Sequence, residues 1–316
     1  MEYLADTNIY RNLVRGLSID EVKNLAEVIS KKETEEGIKS GLSIVVAMEL
    51  ISHLKPDDIH FDECFKSLCL LYHHSKKINI QEKKFTGTFY PPLNVVLTKY
   101  FFDENTQYLR MYSQVLDLTV ELTKNYDVKN IDSYSKQIET VKKQLLFEKD
   151  EIRTNYENYL KSLNEEITDW EYFKKNKTDR KEWFKTLKSG KTSFLVAEGL
   201  MIRAFNLTDR EYSRTEENFE KLVDFINQFY PAILMNELIL EQLGHGTLSL
   251  GDVEDGKWNT INDMSIMFGM LFFSDRDNKV LVTEDKAIRT CLKDNGMENK
   301  LLSLSEFEIR MGIKTV

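Results

Sequence analysis

EYLADTNI, at residues 2–9, is the stretch that decides the fold class of this chain. Its first four residues are typical of a short strand, and Asp6-Thr7-Asn8 are residue types that favour helix N-caps. The apolar residues Ile9, Leu13 and Val14 then follow with helical spacing. The stretch therefore predicts a strand, a tight turn and a helix at the start of the sequence.

The same alternation returns near the end of the sequence. Residues 260–273 have helical spacing, 280–283 form a short apolar run, and 285–295 again have helical spacing that stops at Gly296. A second apolar run follows at 301–304. Helices that alternate with short apolar strands indicate a parallel sheet, so we expect an α/β fold with a central parallel sheet.

The middle of the sequence predicts a different architecture. It lacks convincing strand patterns, and residues 108–122 and 138–163 are rich in Lys, Glu, Gln and Leu. Their apolar positions recur at helical intervals, which is typical of a helical hairpin or a short coiled coil. We therefore expect a discontinuous domain made of residues 1–80 and 244–316, with a mainly helical insertion over residues 81–243.

Composition indicates a globular, mostly helical protein of a reducing compartment. Of its 316 residues 41% are hydrophobic, which is enough to fill a core, and only 13 are glycine and four proline. The three cysteines form no close pair, so neither a disulfide framework nor a zinc ribbon is indicated, and we expect a cytoplasmic location. The most apolar run, residues 266–273, is well short of a membrane-spanning helix, so we expect no membrane partner.

The net charge of −9 gives no global attraction to nucleic acid. Any binding to nucleic acid must then depend on a local basic patch or on bound metal ions. Charge alone argues against a nuclease.

Four acids have placements that suggest a shared site. Asp6 follows the first predicted strand, and Asp285 comes just after the strand at 280–283. Ligand sites of open parallel sheets collect at the carboxyl ends of the strands, so these two acids could face one crevice. Glu49 interrupts an apolar run and Asp263 opens an apolar helical pattern, where an unpaired buried carboxylate is costly. Carboxylate oxygens are the ligands that hard cations such as Mg²⁺ prefer.

Each of these acids also has an ordinary structural interpretation. Asp6 and Asp285 could cap the helices that follow them, and Asp263 could lie favourably in a first turn near the helix dipole. Glu49 could be a solvated residue of an amphipathic helix. Capping and metal binding can both hold for the same residue.

The motifs around the acids resemble those of the PIN-domain nucleases. YLADTN at 3–8 resembles the opening strand and acid of that family, and VAMEL at 46–50 resembles its second acidic position. NDMSI at 262–266 resembles the third acid at a helix start, VTED at 282–285 the terminal acid, and LSLSEF at 302–307 the closing strand. The resemblance covers the two outer segments and leaves the helical middle unmatched.

The resemblance implies a PIN-like three-layer fold and a divalent-metal-dependent nuclease that hydrolyses phosphodiester bonds. We expect RNA to be favoured over DNA, and the basic stretch described below suits a single-stranded substrate. The four acids would be the catalytic residues and the ligands of Mg²⁺ or Mn²⁺, which activate water for in-line attack. Thr7, Asn8 and Thr283 would orient these carboxylates through hydrogen bonds. The alternative is a catalytically weak PIN-like scaffold whose helical insertion binds RNA or protein partners.

A basic stretch in the helical middle is a candidate nucleic-acid contact. Residues 174–191 contain eight basic residues and two acids, with aromatic residues among them. Basic side chains could follow a phosphate backbone while aromatic rings stack on unpaired bases. The residues with this predicted role are Lys174, Lys175, Arg180, Lys181, Trp183 and Lys185. A solvated helix or loop anchored by its aromatic residues is equally consistent with the pattern.

Two other patterns do not support a site. The five histidines lack the paired spacing of zinc ligands. SGKT at 189–192 is similar to the end of a phosphate-binding loop, but it lacks the first glycine and the preceding strand that such a loop requires.

The helical segment 81–243 could also carry a surface for a homo-oligomer or a protein partner.

Overall fold

The computed structural model describes residues 1–75, 78–79, 84–85, 88–104, 107–166, 171–248, 253, 256–272 and 278–313. The chain forms two compact units. The first unit contains Met1–Pro92, Gln107–Leu145 and Phe273–Val316, and the second contains Leu93–Thr106 and Leu146–Phe272.

The helices and strands are named here in chain order. They are β1 (Glu2–Ala5), α1 (Thr7–Val14), α2 (Ile19–Glu36), β2 (Lys39–Ser43), α3 (Ile44–Ser52), α4 (Phe61–Ser75), β3 (Ile78–Asn79), β4 (Lys84–Phe85), β5 (Thr88–Tyr90), α5 (Leu93–Phe102), α6 (Gln107–Thr123), α7 (Ser135–Leu163), α8 (Glu171–Lys175), α9 (Lys177–Leu187), α10 (Lys191–Leu207), α11 (Glu216–His245), α12 (Thr260–Phe272), β6 (Lys279–Val282), α13 (Lys286–Lys293), β7 (Leu301–Leu302) and α14 (Leu304–Met311). Short 3-10 turns lie at Val128–Tyr134, Gly256–Asn259 and Glu298–Lys300.

A five-stranded sheet organises the first unit. Its strand order is β5-β2-β1-β6-β7, and every pair of neighbouring strands is parallel. The short strands β3 and β4 form a separate antiparallel pair. Because most of the described chain is helical, the architecture is compatible with a three-layer α/β fold, and the expected α/β class with a parallel central sheet is confirmed.

Local sequence signals explain the elements on either side of β1. Residues Tyr3 to Ala5 are buried, and Asp6 caps α1 through a bond from the Ile9 amide, as the opening stretch predicts. Ser18 and Glu21 form a capping box at the start of α2. Helix α4 then packs against α1, α2 and α3, so these helices bury their apolar faces together.

One strand of the sheet, β2, has no clear apolar signature in the sequence. The segment of β2 reads KSGLS, yet four of its five residues are buried between β1 and β5. Gly41 on β2 lies against the ring of Tyr90 on β5, where an added Cβ would overlap that ring. Pairing with β1 and close contact with Tyr90, rather than local apolar pattern, account for this strand.

One expected strand is instead mostly a helix. Residues 302–307 were expected to form the closing strand, but β7 contains only Leu301–Leu302 and α14 begins at Leu304. Ser303 and Glu306 form a capping box there, and Phe307 is buried on the helix. The expectation for residues 302–307 is therefore wrong, because the Ser-x-x-Glu signal starts a helix at this point.

The two units also divide the chain at positions other than the predicted boundaries at residues 80 and 244. Strand β5 belongs to the sheet although it lies beyond residue 80, and α6 packs against α3 and α4 in the first unit. Helix α12, which lies after residue 244, packs against α5 and α11 in the second unit. The helical middle therefore contributes to both compact units.

The second unit is built from helices around an aromatic core. Helix α11 spans the position of Pro231, and Phe229 has non-helical dihedral angles there (φ −113°, ψ 16°). A proline removes a helical hydrogen bond and clashes with the preceding turn, which explains the kink at this point of α11. Phe225 and Phe229 pack against Phe268 of α12.

No helix in the described ranges combines the length and apolar character needed to cross a membrane.

Candidate active site

The register between β1 and β6 places Asp6 beside Thr283. Ala5 pairs with Val282 at the carboxyl ends of these strands, so the residues that follow them are neighbours. The Asp6 amide donates to the Val282 carbonyl over 3.1 Å, and the Thr283 hydroxyl donates to Oδ2 of Asp6. Residues from the two ends of the sequence therefore meet at one edge of the sheet.

Thr283 also connects this edge to Asp285. Its Oγ1 accepts a 3.0 Å bond from the Asp285 amide while its hydroxyl donates to Asp6. Asp285 caps α13 with a 2.8 Å bond from the Ile288 amide to Oδ1. The fully buried Thr283 thus fixes the loop that carries Asp285 relative to the Asp6 carboxylate.

Glu49 approaches from α3, and its carboxylate accepts a bond from the Thr7 hydroxyl on α1. Thr7 and Glu49 are both partly exposed, so this side of the arrangement is open to water. The predicted orienting roles of Thr7 and Thr283 match hydrogen bonds in the structure. Asn8 is exposed, and within the described residues it forms no hydrogen bond to these acids.

Asp6 is buried, and its environment disfavours the ionised carboxylate. Burial raises the pKa of Asp6 to about 6, and the negative charges of Asp285 and Glu49 act in the same direction. The bonds from Thr283 and Ile9 oppose this rise because they stabilise the carboxylate. Negative charge is therefore concentrated around Asp6. A bound cation would offset both the cost of burying the ionised carboxylate and its repulsion by Asp285 and Glu49.

The first unit brings together three of the four predicted acids: Asp6, Glu49 and Asp285 are close enough to interact electrostatically. Among the described residues, however, no group of three or more His, Cys, Asp or Glu side chains is already placed to hold a metal ion. The two observations are compatible, because electrostatic interaction extends further than a metal–oxygen bond. Asp263 lies in the first turn of α12, which belongs to the second unit.

The comparisons with known proteins were negative. No family model, curated protein or solved structure matches this chain. The interpretation of the site therefore depends on the chemistry and placement of its own residues.

The structure adds residues that the sequence did not single out. Arg289 of α13 donates a 2.9 Å bond to the Thr283 carbonyl, which connects α13 to the carboxyl end of β6. Arg289 lies four residues beyond the cap Asp285, one helical turn away, and this spacing was the available signal.

A buried polar chain supports the helix that follows Asp6. The hydroxyl of Tyr10 lies 2.9 Å from Nε2 of His74, whose Nδ1 lies 3.4 Å from the Glu33 carboxylate. Glu33 also accepts a bond from Ser40 on β2. All four residues are buried, so α1 is fixed to α2, β2 and α4 behind the site.

The predicted nucleic-acid residues divide into two groups. Lys174, Lys175, Lys181 and Lys185 are exposed on α8 and α9. Trp183 is only 4% exposed, and its indole N–H donates to the Leu240 carbonyl. The expected stacking role of Trp183 is therefore corrected, since its ring is part of the core of the second unit.

Arg180 lies beside the core rather than fully in solvent. Its guanidinium is 3.2 Å from Nδ1 of His245 and lies 5.7 Å from the centre of the Phe184 ring. Arginine readily stacks on aromatic faces, so part of its bonding capacity is used inside the second unit.

Proposed function

We propose that this chain is a divalent-metal-dependent nuclease of the PIN-like kind that hydrolyses phosphodiester bonds, with single-stranded RNA as the favoured substrate. The observation that carries the proposal is the buried Asp6 at the carboxyl end of the central strand, with Asp285 and Glu49 adding their negative charge. Ligand sites of parallel sheets occupy this edge.

The residues present fit a hard divalent cation by their chemistry. Asp6, Glu49 and Asp285 offer only carboxylate oxygens, which Mg²⁺ and Mn²⁺ prefer over softer ligands. When bound, such an ion would supply Lewis-acid activation of water and neutralise charge on the leaving oxygen. Asp263 is included in the proposed set through the family resemblance alone.

The protein's own residues have defined tasks in this proposal. Thr283 would hold the Asp6 carboxylate and the Asp285 loop in a fixed relation, through the two bonds of its hydroxyl group. Thr7 would orient Glu49 in the same way. Partners that orient metal-binding carboxylates typically affect metal affinity strongly when they are removed.

The test is cleavage of labelled single-stranded RNA and DNA in Mg²⁺, Mn²⁺ or EDTA, with Asp6→Asn and Asp285→Asn beside the unchanged protein. We expect cleavage that requires the ion and is lost in both variants. Asp117→Asn is the matched control, since it removes one negative charge from an exposed position of α6 in the same unit.

Cleavage in EDTA, or cleavage that survives both site substitutions, would contradict the proposed mechanism. Binding of Mn²⁺, followed by electron paramagnetic resonance, provides a readout independent of turnover. We expect both site variants to bind Mn²⁺ at least about tenfold more weakly than Asp117→Asn does.

A further inference from the structure

Helix α9 separates its side chains into an apolar side and a basic side. Trp183 and Leu187 are buried on one side. With 100° between successive residues, four lysines fall on a different side, within an arc of about 80°. These lysines, hereafter the lysine ridge, are Lys177, Lys181, Lys185 and Lys188, the last of which is the C-cap of the helix.

The lysine ridge is open to solvent and poor in acidic partners. All four side chains are exposed. Among the residues that the structure describes, Lys185 alone of the four has an ion-pair partner, at 3.5 Å from Glu182, and both members of that pair are largely exposed. Such an exposed pair is weak and easily exchanged for another anion.

Several lysines on other helices of this protein are placed differently. Lys31, Lys66, Lys161 and Lys221 each pair with an acid four residues away on the same helix. That arrangement stabilises a solvated helix, whereas like charges at the same spacing weaken it. The lysine ridge departs from this pattern in a chain whose net charge is −9. A helix that only needed solubility would not require such a concentration of positive charge.

The geometry of the ridge fits a partner with regularly spaced negative charges. Lysines four residues apart on a helix are separated by a rise of about 6 Å, so the ridge presents a line of cations. Ammonium groups bind phosphates as point charges and read no base sequence. Because Trp183 is buried, the most prominent aromatic residue of this region offers no platform for stacking.

We propose that the lysine ridge of α9 is a docking surface for the phosphodiester backbone of a nucleic acid strand, bound through phosphate contacts and without sequence preference. The choice of nucleic acid over other polyanions rests on the proposed nuclease function. Binding at the ridge needs no metal ion, so the two proposals can be tested separately.

The experiment measures binding in EDTA by fluorescence anisotropy, with labelled 20-nucleotide oligo(U) RNA and oligo(dT) DNA between 50 and 200 mM NaCl. The test variant is the triple substitution Lys181→Gln, Lys185→Gln and Lys188→Gln. Its matched control removes the same charge from exposed lysines on α2 and α7, through Lys23→Gln, Lys31→Gln and Lys143→Gln. Circular dichroism checks that each variant keeps its helical content.

We expect the test variant to bind both strands about tenfold or more weakly at 100 mM NaCl, because three phosphate contacts are lost. The slope of log affinity against log salt should fall by about 2, since each contact with a single strand contributes about 0.7. The control should bind like the unchanged protein, and RNA and DNA should be affected alike.

Two results would overturn the proposal. The first is equal affinity and slope in the test variant and the control. The second, from the same variants mixed with phosphatidylserine vesicles, is ridge-dependent binding to the vesicles without binding to either oligonucleotide. If the chain is a nuclease but the ridge does not bind nucleic acid, it will cleave in Mg²⁺ while the test variant and the control bind the oligonucleotides equally well in EDTA. If the ridge binds nucleic acid but the chain is not a nuclease, the test variant will bind more weakly than the control in EDTA and no cleavage will occur in Mg²⁺. Failure of one proposal therefore does not hide failure of the other.

Discussion

Asp6→Asn should stabilise the metal-free protein while removing its response to divalent metal. The asparagine keeps an oxygen that can accept the bond from the Ile9 amide, so the cap of α1 is retained. The Thr283 hydroxyl can turn to accept from the new amide instead of donating to a carboxylate. What disappears is a buried negative charge beside Asp285 and Glu49.

The magnitude follows from the raised pKa of Asp6. In the folded chain the pKa is about 6, against 3.8 for an unperturbed group, so the folded state retains a proton that the unfolded state loses. Stability therefore falls as pH rises between those two values. At 1.36 kcal/mol per pKa unit, the raised pKa of Asp6 lowers the free energy of unfolding by about 3 kcal/mol above pH 7 and by about 1 kcal/mol at pH 4.5.

The assay is hydrogen exchange followed by mass spectrometry on peptides that contain β1 and β6, at pH 7.5 and pH 4.5 after correction for intrinsic exchange rates. We expect Asp6→Asn to protect these strands more than the unchanged protein at pH 7.5, and the advantage to shrink by about 2 kcal/mol at pH 4.5. Asp117→Asn should show no such change with pH.

Metal should reverse the order of stability. A ligand at 1,000 times its Kd stabilises the folded state by about 4.1 kcal/mol, which exceeds the cost of about 3 kcal/mol at pH 7.5. Mn²⁺ at that excess should therefore make the unchanged protein the more stable of the two and leave Asp6→Asn unaffected. A variant that is less stable than the unchanged protein without metal, or whose difference does not vary with pH, would refute this account of Asp6.

Three further substitutions test the contacts around the site and the sheet. Thr283→Val should weaken Mn²⁺ binding and lower the free energy of unfolding by about 1–3 kcal/mol, because it removes the hydroxyl that joins Asp6 to the Asp285 loop. Thr283→Ser keeps that hydroxyl and should behave nearly like the unchanged protein in both the Mn²⁺ titration and the denaturant titration. Tyr10→Phe should cost about 1–3 kcal/mol in guanidinium denaturation, since a buried bond to a histidine nitrogen is lost; unchanged stability would mean that this chain of bonds does not anchor α1. Gly41→Ala should lower the melting temperature through overlap with the Tyr90 ring, with a cost of about 1–3 kcal/mol, and a neutral effect would show that the ring has room to move.

The predictions that succeeded depend on local signals. The caps of α1 and α13 are set by side chains that bond to amides three residues away, so Asp6 and Asp285 reveal helix starts within a few letters of sequence. The short apolar runs of β1 and β6 likewise predicted strands. Placing Asp6 and Asp285 at one edge followed from the rule for parallel sheets and needed no contact information.

The expected strand at residues 302–307 failed against a local capping signal, whereas the other misses depend on contacts between distant residues. Strand β2 is defined by its pairing with β1 and β5, which its own sequence does not reveal. Whether Trp183 faces solvent or the core depends on packing against Leu240 and Gly244 of α11, far along the chain. The basic residues around it were visible as composition, but the alignment of four lysines on one side of α9 became clear only with the bounds of that helix.

The bond between Thr283 and Asp6 joins residues 277 positions apart, and this separation has a consequence for synthesis of the protein. Contacts of such high sequence separation form late and slowly, because the loop must close before they contribute. A chain growing on the ribosome carries Asp6 and Glu49 early, but the central strand has no second neighbour until β6 emerges. The nascent protein would therefore stay without its assembled acidic edge until translation has passed residue 285.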